Sequence, residues 1–264
     1  MNPWIDLEQA KKALSEGTGK GIKVAVLDSG VETSHPSLAG LTLVDDLAVT
    51  GDGHKLKVVD GQGRDVFGHG TAVAGVIRKM APETQIGSIR ILAPDNSSRT
   101  AVIQRAAQEA LDRDYQVVNC SFGCAIQDQV LLYKSWVDEA YLKGVHIIAA
   151  CNNEDFSRPE WPACFPSVIA VNMARTHQDE AFFYQHGVMV EFAARGVDVR
   201  VPWMGGMEKV VTGSSFAAPR LAALMARLLS VYPDVAPLQA KAILHRVAKS
   251  MTSRVAASNV NSGL

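Results

Sequence analysis

Short apolar runs rich in β-branched residues alternate along this chain with longer segments whose apolar residues recur at helical spacing. The strands predicted from the runs cover residues 21–28, 85–92, 115–122, 145–151 and 167–172. The predicted helices cover residues 69–80, 101–113, 130–144, the stretch after residue 215, and residues 237–251. This alternation is typical of βαβ units, in which mainly parallel strands form a sheet with helices on both faces. The pattern therefore predicts an α/β fold of three layers.

The chain is long enough for one large α/β domain, since it has 264 residues and a hydrophobic content of 47%. No internal repeat or linker-like segment divides it, so we predict a single domain over residues 1–264. Residues 1–20 are predicted as an N-terminal extension and residues 250–264 as a polar tail. The extension is expected to form an amphipathic helix whose apolar face is built from Trp4, Leu7, Ala10 and Leu14.

The charge and the hydropathy pattern exclude several classes of partner. The formal net charge is −1 and basic residues are not clustered, so we expect neither nucleic acid nor an anionic membrane surface as a partner. No apolar stretch reaches the roughly 18 to 20 residues of a membrane span. The N-terminal residues lack the basic and apolar regions of a secretory signal peptide.

The cysteines bear on the redox compartment. Their spacing does not provide the two CxxC pairs of a zinc ribbon, and most lie in or beside apolar runs, where a buried free thiol is usual. We therefore expect reduced thiols, a reducing compartment and a cytoplasmic location. The four residues are Cys120, Cys124, Cys151 and Cys164.

Three polar residues stand where ligands bind in parallel sheets, beyond the carboxyl ends of the strands. Asp28 ends the first predicted strand, His69 opens a helix between two glycines, and Asn152 directly follows another strand. Each has a structural alternative, since Asp28 and Asn152 also suit turns and His69 also suits a loop. The glycines favour a functional role for His69, because they leave the imidazole accessible.

A serine doublet precedes the apolar helix near the C-terminus. Ser214 and Ser215 either cap this helix or include a nucleophile. A serine hydroxyl becomes nucleophilic when a base removes its proton and a carboxylate orients that base. Asp28, His69 and Ser215 can supply these three groups, and backbone N–H groups at a helix N-terminus favour a nearby oxyanion.

The motifs around these residues resemble those of the subtilisin-like serine proteases. The segments "VAVLDSG", "GHGTAVAG" and "GSSFAAP" follow one another in that family's order of Asp, His and Ser, which excludes an α/β-hydrolase. The resemblance covers about residues 20 to 248. Further segments similar to family motifs are "VVNCSFG", "AACNNE" and "WPACFPSVIAVN".

The resemblance implies a subtilisin-like fold and serine endopeptidase activity. By the same resemblance, Ser215 attacks the scissile carbonyl, His69 transfers the proton and Asp28 holds the histidine. Asn152 and the Ser215 backbone N–H are expected to bind the oxyanion, with Ser214 as a supporting donor in place of a threonine.

The resemblance also implies a groove for an extended peptide or protein substrate. Two segments are expected to pair with the substrate backbone, and a third is expected to form a wall of the P1 pocket. These residues are Ser121, Phe122 and Gly123, then Asn96, Ser97 and Ser98, then Ala149, Ala150 and Cys151. Cys151 stands where the family has glycine, so its thiol is expected either to narrow the pocket or to confer sensitivity to thiol reagents.

Glu160 is expected at the base of the P1 pocket, where a carboxylate would favour Lys or Arg in the substrate. The alternative is a solvated loop glutamate, because the preceding loop differs in length from that of relatives.

No cofactor is expected. The helix at residues 69–80 is followed almost at once by the strand at 85–92, with no run of Asn or Asp to wrap the calcium ion that some relatives bind. Glu191 suits a weaker cation site, but Met189 stands where a second carboxylate would help. We therefore predict little dependence on calcium.

Three functional alternatives remain open from the sequence. An intracellular or specialised processing protease is a narrower form of the endopeptidase, and a pro-peptide or inhibitor is a further expected partner. A catalytically silent peptide-binding pseudoprotease is disfavoured because all the expected catalytic groups are present. A transamidating or macrocyclising relative is disfavoured because no insertion is long enough to form a lid.

Overall fold

The computed structural model describes residues 5–52, 55–155 and 158–251. The strands are β1 (Lys23–Asp28), β2 (Asp46–Thr50), β3 (Lys57–Asp60), β4 (Gln85–Arg90), β5 (Val117–Cys120), β6 (His146–Ala150), β7 (Ile169–Ala174), β8 (Phe182–Tyr184), β9 (Phe192–Arg195), β10 (Val199–Trp203), β11 (Met207–Val211) and β12 (Lys249–Ser250). Ten of them form one sheet in the order β12-β8-β9-β7-β6-β5-β1-β4-β2-β3, and β10 and β11 form a hairpin. The sheet is parallel except for the pairs β2–β3 and β8–β9.

The helices are α1 (Leu7–Glu16), α2 (His69–Met80), α3 (Thr100–Asp112), α4 (Val130–Leu142), α5 (Ala218–Val231) and α6 (Pro237–Val247). One apolar core joins the sheet to α1, α2, α5 and α6, and a second joins the opposite face to α3 and α4. Alternate residues of β1 enter the two cores, since Val24 and Val26 face the first while Ala25 and Leu27 face the second. The molecule is therefore the three-layer α/β structure that the sequence predicts.

The predicted N-terminal helix is present as α1. Asp6 caps it, because its side chain accepts a hydrogen bond from Gln9 N while the Gln9 side chain accepts one from Asp6 N. Ala10 and Leu14 are buried against α5 and α6, whereas Leu7 is half-buried. Trp4 lies outside the described residues.

The predicted helix over residues 237–251 is too long. Helix α6 ends at Val247, and Lys249 and Ser250 form the short strand β12 beside β8. The strand ends at Ser250, the first residue of the segment predicted as a polar tail, of which residues 252–264 lie outside the described residues. The main-chain hydrogen bond from Met251 N to Tyr184 O extends the pairing of this edge.

The order of the central strands determines where the polar strand-end residues lie. Strand β1 pairs with β5, and β5 pairs with β6, with Leu27, Cys120 and Ala149 in register. Because all three strands are parallel, the residues that follow these three registered positions lie together at the carboxyl end of the sheet. Asp28, Ser121 and Ala150 are these next residues.

Candidate active site

The N-termini of two helical segments meet the carboxyl ends of the central strands β1, β5 and β6. Asp28 has the same side-chain direction as Val26, so it faces the layer that contains α2 and α5. Helix α2 begins at His69, and a short 3₁₀ helix, Ser214–Phe216, leads into α5. Pro219 lies in the first turn of α5, where the missing N–H costs no helical hydrogen bond.

The Asp28 carboxylate and the His69 imidazole form a buried pair. Nδ1 of His69 lies 2.8 Å from Oδ1 and 2.9 Å from Oδ2 of Asp28. The backbone N–H of Ser29 donates to Oδ1 at 2.8 Å and fixes the carboxylate. Asp28 is 1% exposed and His69 is 7% exposed. This geometry favours the tautomer with a proton on Nδ1, which leaves Nε2 as a base.

The charge environment raises the pKa of His69 above its ordinary value. Burial opposes the imidazolium and lowers the pKa, but the Asp28 charge, the hydrogen bond to Asp28 and the more distant Asp65 charge together outweigh it. The imidazolium that forms when His69 takes a proton is therefore stabilised. A neutral imidazole whose protonated form is stabilised in this way is a stronger base for taking a proton from a hydroxyl.

The two glycines beside His69 are required by close contacts. Gly68 has φ +110° at the N-cap of α2, and a Cβ there would collide with the indole of Trp203. A Cβ on Gly70 would collide with the carbonyl oxygen of Gly30. The glycines thus allow α2 to begin directly against the end of β1, which brings His69 to Asp28.

Asp65 connects the segment that carries Asp28 with the helix that carries His69, a role that the sequence does not predict. Its Oδ1 accepts hydrogen bonds from Ser29 Oγ at 2.7 Å and from Gly68 N at 2.7 Å. Its Oδ2 accepts from the backbone N–H of Thr71 at 2.8 Å and from the Thr71 hydroxyl at 2.7 Å. One carboxylate therefore connects the end of β1 with the first turn of α2. A lone aspartate in a loop gives no sequence signal for this function.

Ser215 is fixed through its own carbonyl group. The hydroxyl of Ser121 donates to the Ser215 carbonyl oxygen at 3.0 Å, and Nδ2 of the buried Asn119 donates to the Ser121 hydroxyl at 2.8 Å. The next residue, Phe216, packs against the His69 ring with centroids 5.0 Å apart. The end of β5 thus supports the serine, and the residue after the serine contacts the histidine.

His69 and Ser215 line one cleft of about 420 Å³. Most of the residues predicted from the sequence share this cleft, and Asp28 lies behind His69. The lining residues are His69, Asn96, Ser121, Phe122, Gly123, Ala150, Cys151, Asn152, Asn153, Glu154, Glu160, Ser214 and Ser215.

Three of the predicted substrate-binding residues lie elsewhere. Ser97 and Ser98 line a neighbouring cavity, where the Ser97 hydroxyl donates to Asp95 and the Ser98 hydroxyl donates to the Ile91 carbonyl. Ala149 is fully buried within β6 and packs in the core beneath α3 and α4. The structure therefore does not bring these three side chains to the cleft.

The two adjacent asparagines have different surroundings. Nδ2 of Asn152 donates to Oε1 of Glu160 at 2.7 Å, and its Oδ1 accepts from the backbone N–H groups of Glu154 and Asp155. Asn153 instead accepts a hydrogen bond from Ser214 N through Oδ1 at 2.7 Å. The side chain bonded to the backbone next to Ser215 is therefore that of Asn153, whereas the sequence predicts Asn152 as the oxyanion donor. The sequence pattern places both asparagines after the strand, but it does not indicate which of them lies beside Ser214.

Ser214 and Cys151 connect the two loops on either side of the cleft. The Ser214 hydroxyl donates to the Cys151 carbonyl oxygen at 2.6 Å, and Ser214 is 1% exposed. This hydroxyl is therefore engaged with the loop after β6, which differs from the predicted supporting role at the oxyanion. Burial, the largest influence, raises the pKa of the Cys151 thiol to about 12, even though Ser214 acts in the opposite direction.

The candidate cation residue Glu191 has a protein partner. Its Oε1 forms an ion pair with Nζ of Lys241, whose ammonium also donates to the carbonyl groups of Pro166 and Val168. In the part of the chain that the structure describes, no group of three His, Cys, Asp or Glu side chains is arranged to hold a metal ion. Within the same ranges, none of the helices is both long and apolar enough to span a membrane.

Comparisons with known proteins agree on one family. The model of the subtilase family matches residues 19–263. Subtilisin BL of Lederbergia lenta is 29% identical, with 95% of this chain and 93% of that protein covered. The minor extracellular protease Epr of Bacillus subtilis (strain 168) is 31% identical, with 83% of this chain and 34% of that protein covered.

Solved structures give the same result at the level of fold. Sphericase superposes with a TM-score of 0.74 at 26% identity, covering 89% of this chain and 87% of that chain. A cold-adapted subtilisin-like serine proteinase superposes with a TM-score of 0.72 at 26% identity, covering 88% and 84%.

Proposed function

Because this chain belongs to the subtilase family and is a serine endopeptidase, we propose that it cleaves peptide bonds through Asp28, His69 and Ser215. The observation that carries this proposal is the buried Asp28–His69 pair at the cleft that Ser215 also lines. Asp28 accepts a hydrogen bond from Nδ1–H of His69 and stabilises the imidazolium, so that Nε2 is available to the serine hydroxyl.

The reaction proceeds through an acyl-enzyme. The Ser215 Oγ attacks the scissile carbonyl carbon while His69 Nε2 takes the hydroxyl proton. The tetrahedral intermediate collapses with release of the amine, which receives that proton from His69. Water then attacks the ester, losing a proton to His69, and the carboxylic acid leaves as Ser215 regains its proton.

We propose that the Ser215 backbone N–H and Nδ2 of Asn153 stabilise the oxyanion. The hydrogen bond from Ser214 N to Asn153 Oδ1 supports this assignment, because it fixes the amide next to the nucleophile before substrate binds. Asn152 is less suited to the role, since its Nδ2 already donates to Glu160.

A fluorophosphonate probe followed by mass-spectrometric mapping tests the nucleophile. We expect one adduct on Ser215, its loss in Ser215→Ala, and strong slowing in His69→Ala. Ser15→Ala, which changes an exposed serine of α1, is a matched control and should label like the parent protein. Folded protein that is not labelled, or is labelled at another residue, would contradict the proposed mechanism.

The substrate is proposed to be an extended peptide or protein strand, and a pro-peptide or inhibitor would use the same cleft. Asn96 and the segment Ser121–Gly123 line the cleft on the side where the edge of a substrate strand can pair. An extended peptide aldehyde, whose carbonyl adds reversibly to a serine hydroxyl, should inhibit competitively. Its binding should protect the backbone amides of residues 121–123 from hydrogen exchange.

We further propose an intracellular processing role without a cofactor. The support for this location is the set of four free cysteines, which suits a reducing compartment. Fractionation of producing cells tests the location, since recovery of the active protein outside the cells would contradict it. Calcium added after chelation should leave the melting temperature nearly unchanged, and a large rise would contradict calcium independence.

A further inference from the structure

The carboxylate of Glu160 joins two walls of the cleft. Its Oε1 accepts the 2.7 Å hydrogen bond from Asn152, in the loop after β6. Its Oε2 lies against Gly123, in the segment after β5, where an added Cβ would collide with it. Since both segments line the cleft with Ser215, the carboxylate lies between them, and we call the part of the cleft at this carboxylate its floor.

The described lining of the cleft includes carboxylates but no lysine or arginine to pair with them. Among the described lining residues there are two carboxylates, Glu154 and Glu160, and neither Lys nor Arg. The ion pairs found in the described ranges do not include Glu160. The Glu160 carboxylate is half-buried, and beyond the bond from Asn152 it has lone pairs that can accept further hydrogen bonds.

We propose that Glu160 selects Lys or Arg as the P1 residue of the substrate, and that Asn152 is the positioning residue that orients the Glu160 carboxylate. P1 is the residue whose carbonyl group is attacked, so the inference rests on the proposed function of Ser215. An ammonium or guanidinium group reaching the floor of the cleft would pair with Glu160, whereas an apolar side chain would desolvate the carboxylate without compensation.

The loop geometry explains why Asn152 suits this role. Its Oδ1 is held by two backbone N–H groups, from Glu154 at 2.9 Å and from Asp155 at 2.8 Å, which directs Nδ2 at Glu160. A neutral amide orients the carboxylate but does not cancel its charge. A lysine or arginine at this position would do so, and the attraction for a basic substrate would be lost.

Gly123 provides the space that the carboxylate occupies. An alanine at this position would force the Glu160 side chain to move, because its Cβ would take the place of Oε2. The absence of a side chain at residue 123 is therefore part of the same arrangement. The selectivity should therefore depend on the charge of Glu160, the side-chain amide of Asn152 and the missing side chain of Gly123.

The experiment uses peptides that differ only at P1, with Lys, Arg, Gln, Leu or Phe at that residue. For the parent protein we expect kcat/KM for Lys or Arg to exceed that for Leu by about 10- to 100-fold, as for a close charge pair at a binding interface. In Glu160→Gln the ratio of kcat/KM between the basic and the Leu peptides should fall to about one or below. Asn152→Ala should reduce the ratio mainly through a higher KM for the Lys peptide, which a role confined to folding would not do.

Glu154→Gln is the matched control, because it removes one negative charge from the same cleft without touching the floor. Equal loss of the ratio in Glu154→Gln and Glu160→Gln would overturn the specific role of Glu160. A parent protein that prefers Leu or Phe would overturn the whole inference. Melting temperatures of the variants show whether each is folded.

The same experiment separates this inference from the proposed function. If Ser215 reacts with a fluorophosphonate and peptides are cleaved without preference for basic P1 residues, only the selectivity is wrong. If Ser215→Ala retains cleavage, the catalytic assignment itself is wrong.

Discussion

Alanine in place of Asn153 removes one of the two groups proposed to bind the oxyanion. The Ser215 N–H remains, and so do the Asp28–His69 pair and the bond from Ser121 to the Ser215 carbonyl. Ser214 N loses its acceptor at Asn153 Oδ1. The substitution therefore affects the stabilisation of the intermediate far more than the supply of the nucleophile.

The expected loss follows from the rigidity of the amide. A donor held in place before the reaction contributes about 2.7–4 kcal/mol to the transition state, equivalent to a 10²- to 10³-fold loss of kcat when it is removed. The 2.7 Å bond to Ser214 N holds the Asn153 amide in this way. Asn153→Asp should lose more than Asn153→Ala, because it keeps an acceptor for Ser214 but places a negative charge near the oxyanion.

Steady-state kinetics on a peptide with Leu at P1 provide the measurement. Leu at P1 removes the contribution of Glu160, so that Asn152→Ala becomes a fair comparison with Asn153→Ala. We expect kcat to fall strongly and KM to change little in Asn153→Ala, since the interaction forms mainly in the transition state. The loss in Asn152→Ala should be smaller by at least tenfold.

A larger loss of kcat in Asn152→Ala than in Asn153→Ala would refute the assignment of the oxyanion donor. It would mean that the first asparagine of the doublet leaves Glu160 when substrate binds and donates to the intermediate. Equal losses accompanied by lowered melting temperatures would show that the loop as a whole determines the geometry, which would also refute it.

Three further predictions concern titration and thiol reactivity. The acid limb of kcat/KM should have its midpoint above pH 6.5, because the Asp28 charge raises the pKa of His69, and Asp28→Asn should lower that midpoint. Burial lowers the pKa of His146 to about 4, so the unfolded chain takes up a proton below pH 6.5 that the folded chain does not. The free energy of unfolding should therefore fall as the pH drops from 6.5 to 4, by up to about 1.4 kcal/mol per pH unit, and urea titrations should show a shallower fall in His146→Gln. With a pKa of about 12, the Cys151 thiol should react with iodoacetamide at pH 7.5 far more slowly than free cysteine, and rapid loss of activity that Cys151→Ala prevents would contradict this.

The central layer and its helices follow from the sequence because their burial is strongly patterned. The helix predicted over residues 69–80 has those bounds in the structure, and the first strand ends at Asp28 as predicted. Strands β10 and β11 were not predicted. Four of the five residues of β11 are exposed, so its side chains give no apolar alternation to read.

The details of the candidate site depend on contacts that local sequence does not encode. Whether Asn152 or Asn153 lies beside Ser214 is decided by the path of the loop after β6, and adjacent identical residues cannot indicate that path. Asp65 is connected to Ser29 and Thr71 only through the folding of its loop between β3 and α2. The predicted strand ends lie within two residues of the observed ends, but the sequence does not determine which side chains of the following segments face the cleft.

The hydrogen bond between the Ser121 hydroxyl and the Ser215 carbonyl has a consequence for protein engineering. It makes one residue of the segment proposed to face the substrate a structural support of the proposed nucleophile, so that this segment is not an interchangeable module. Libraries that vary specificity can change Phe122 within the limits set by its packing against the core beneath α3 and α4. Ser121 has to stay constant together with Asn119, which holds it from within the sheet. A graft of the whole segment from a distant relative is expected to alter turnover as well as selectivity.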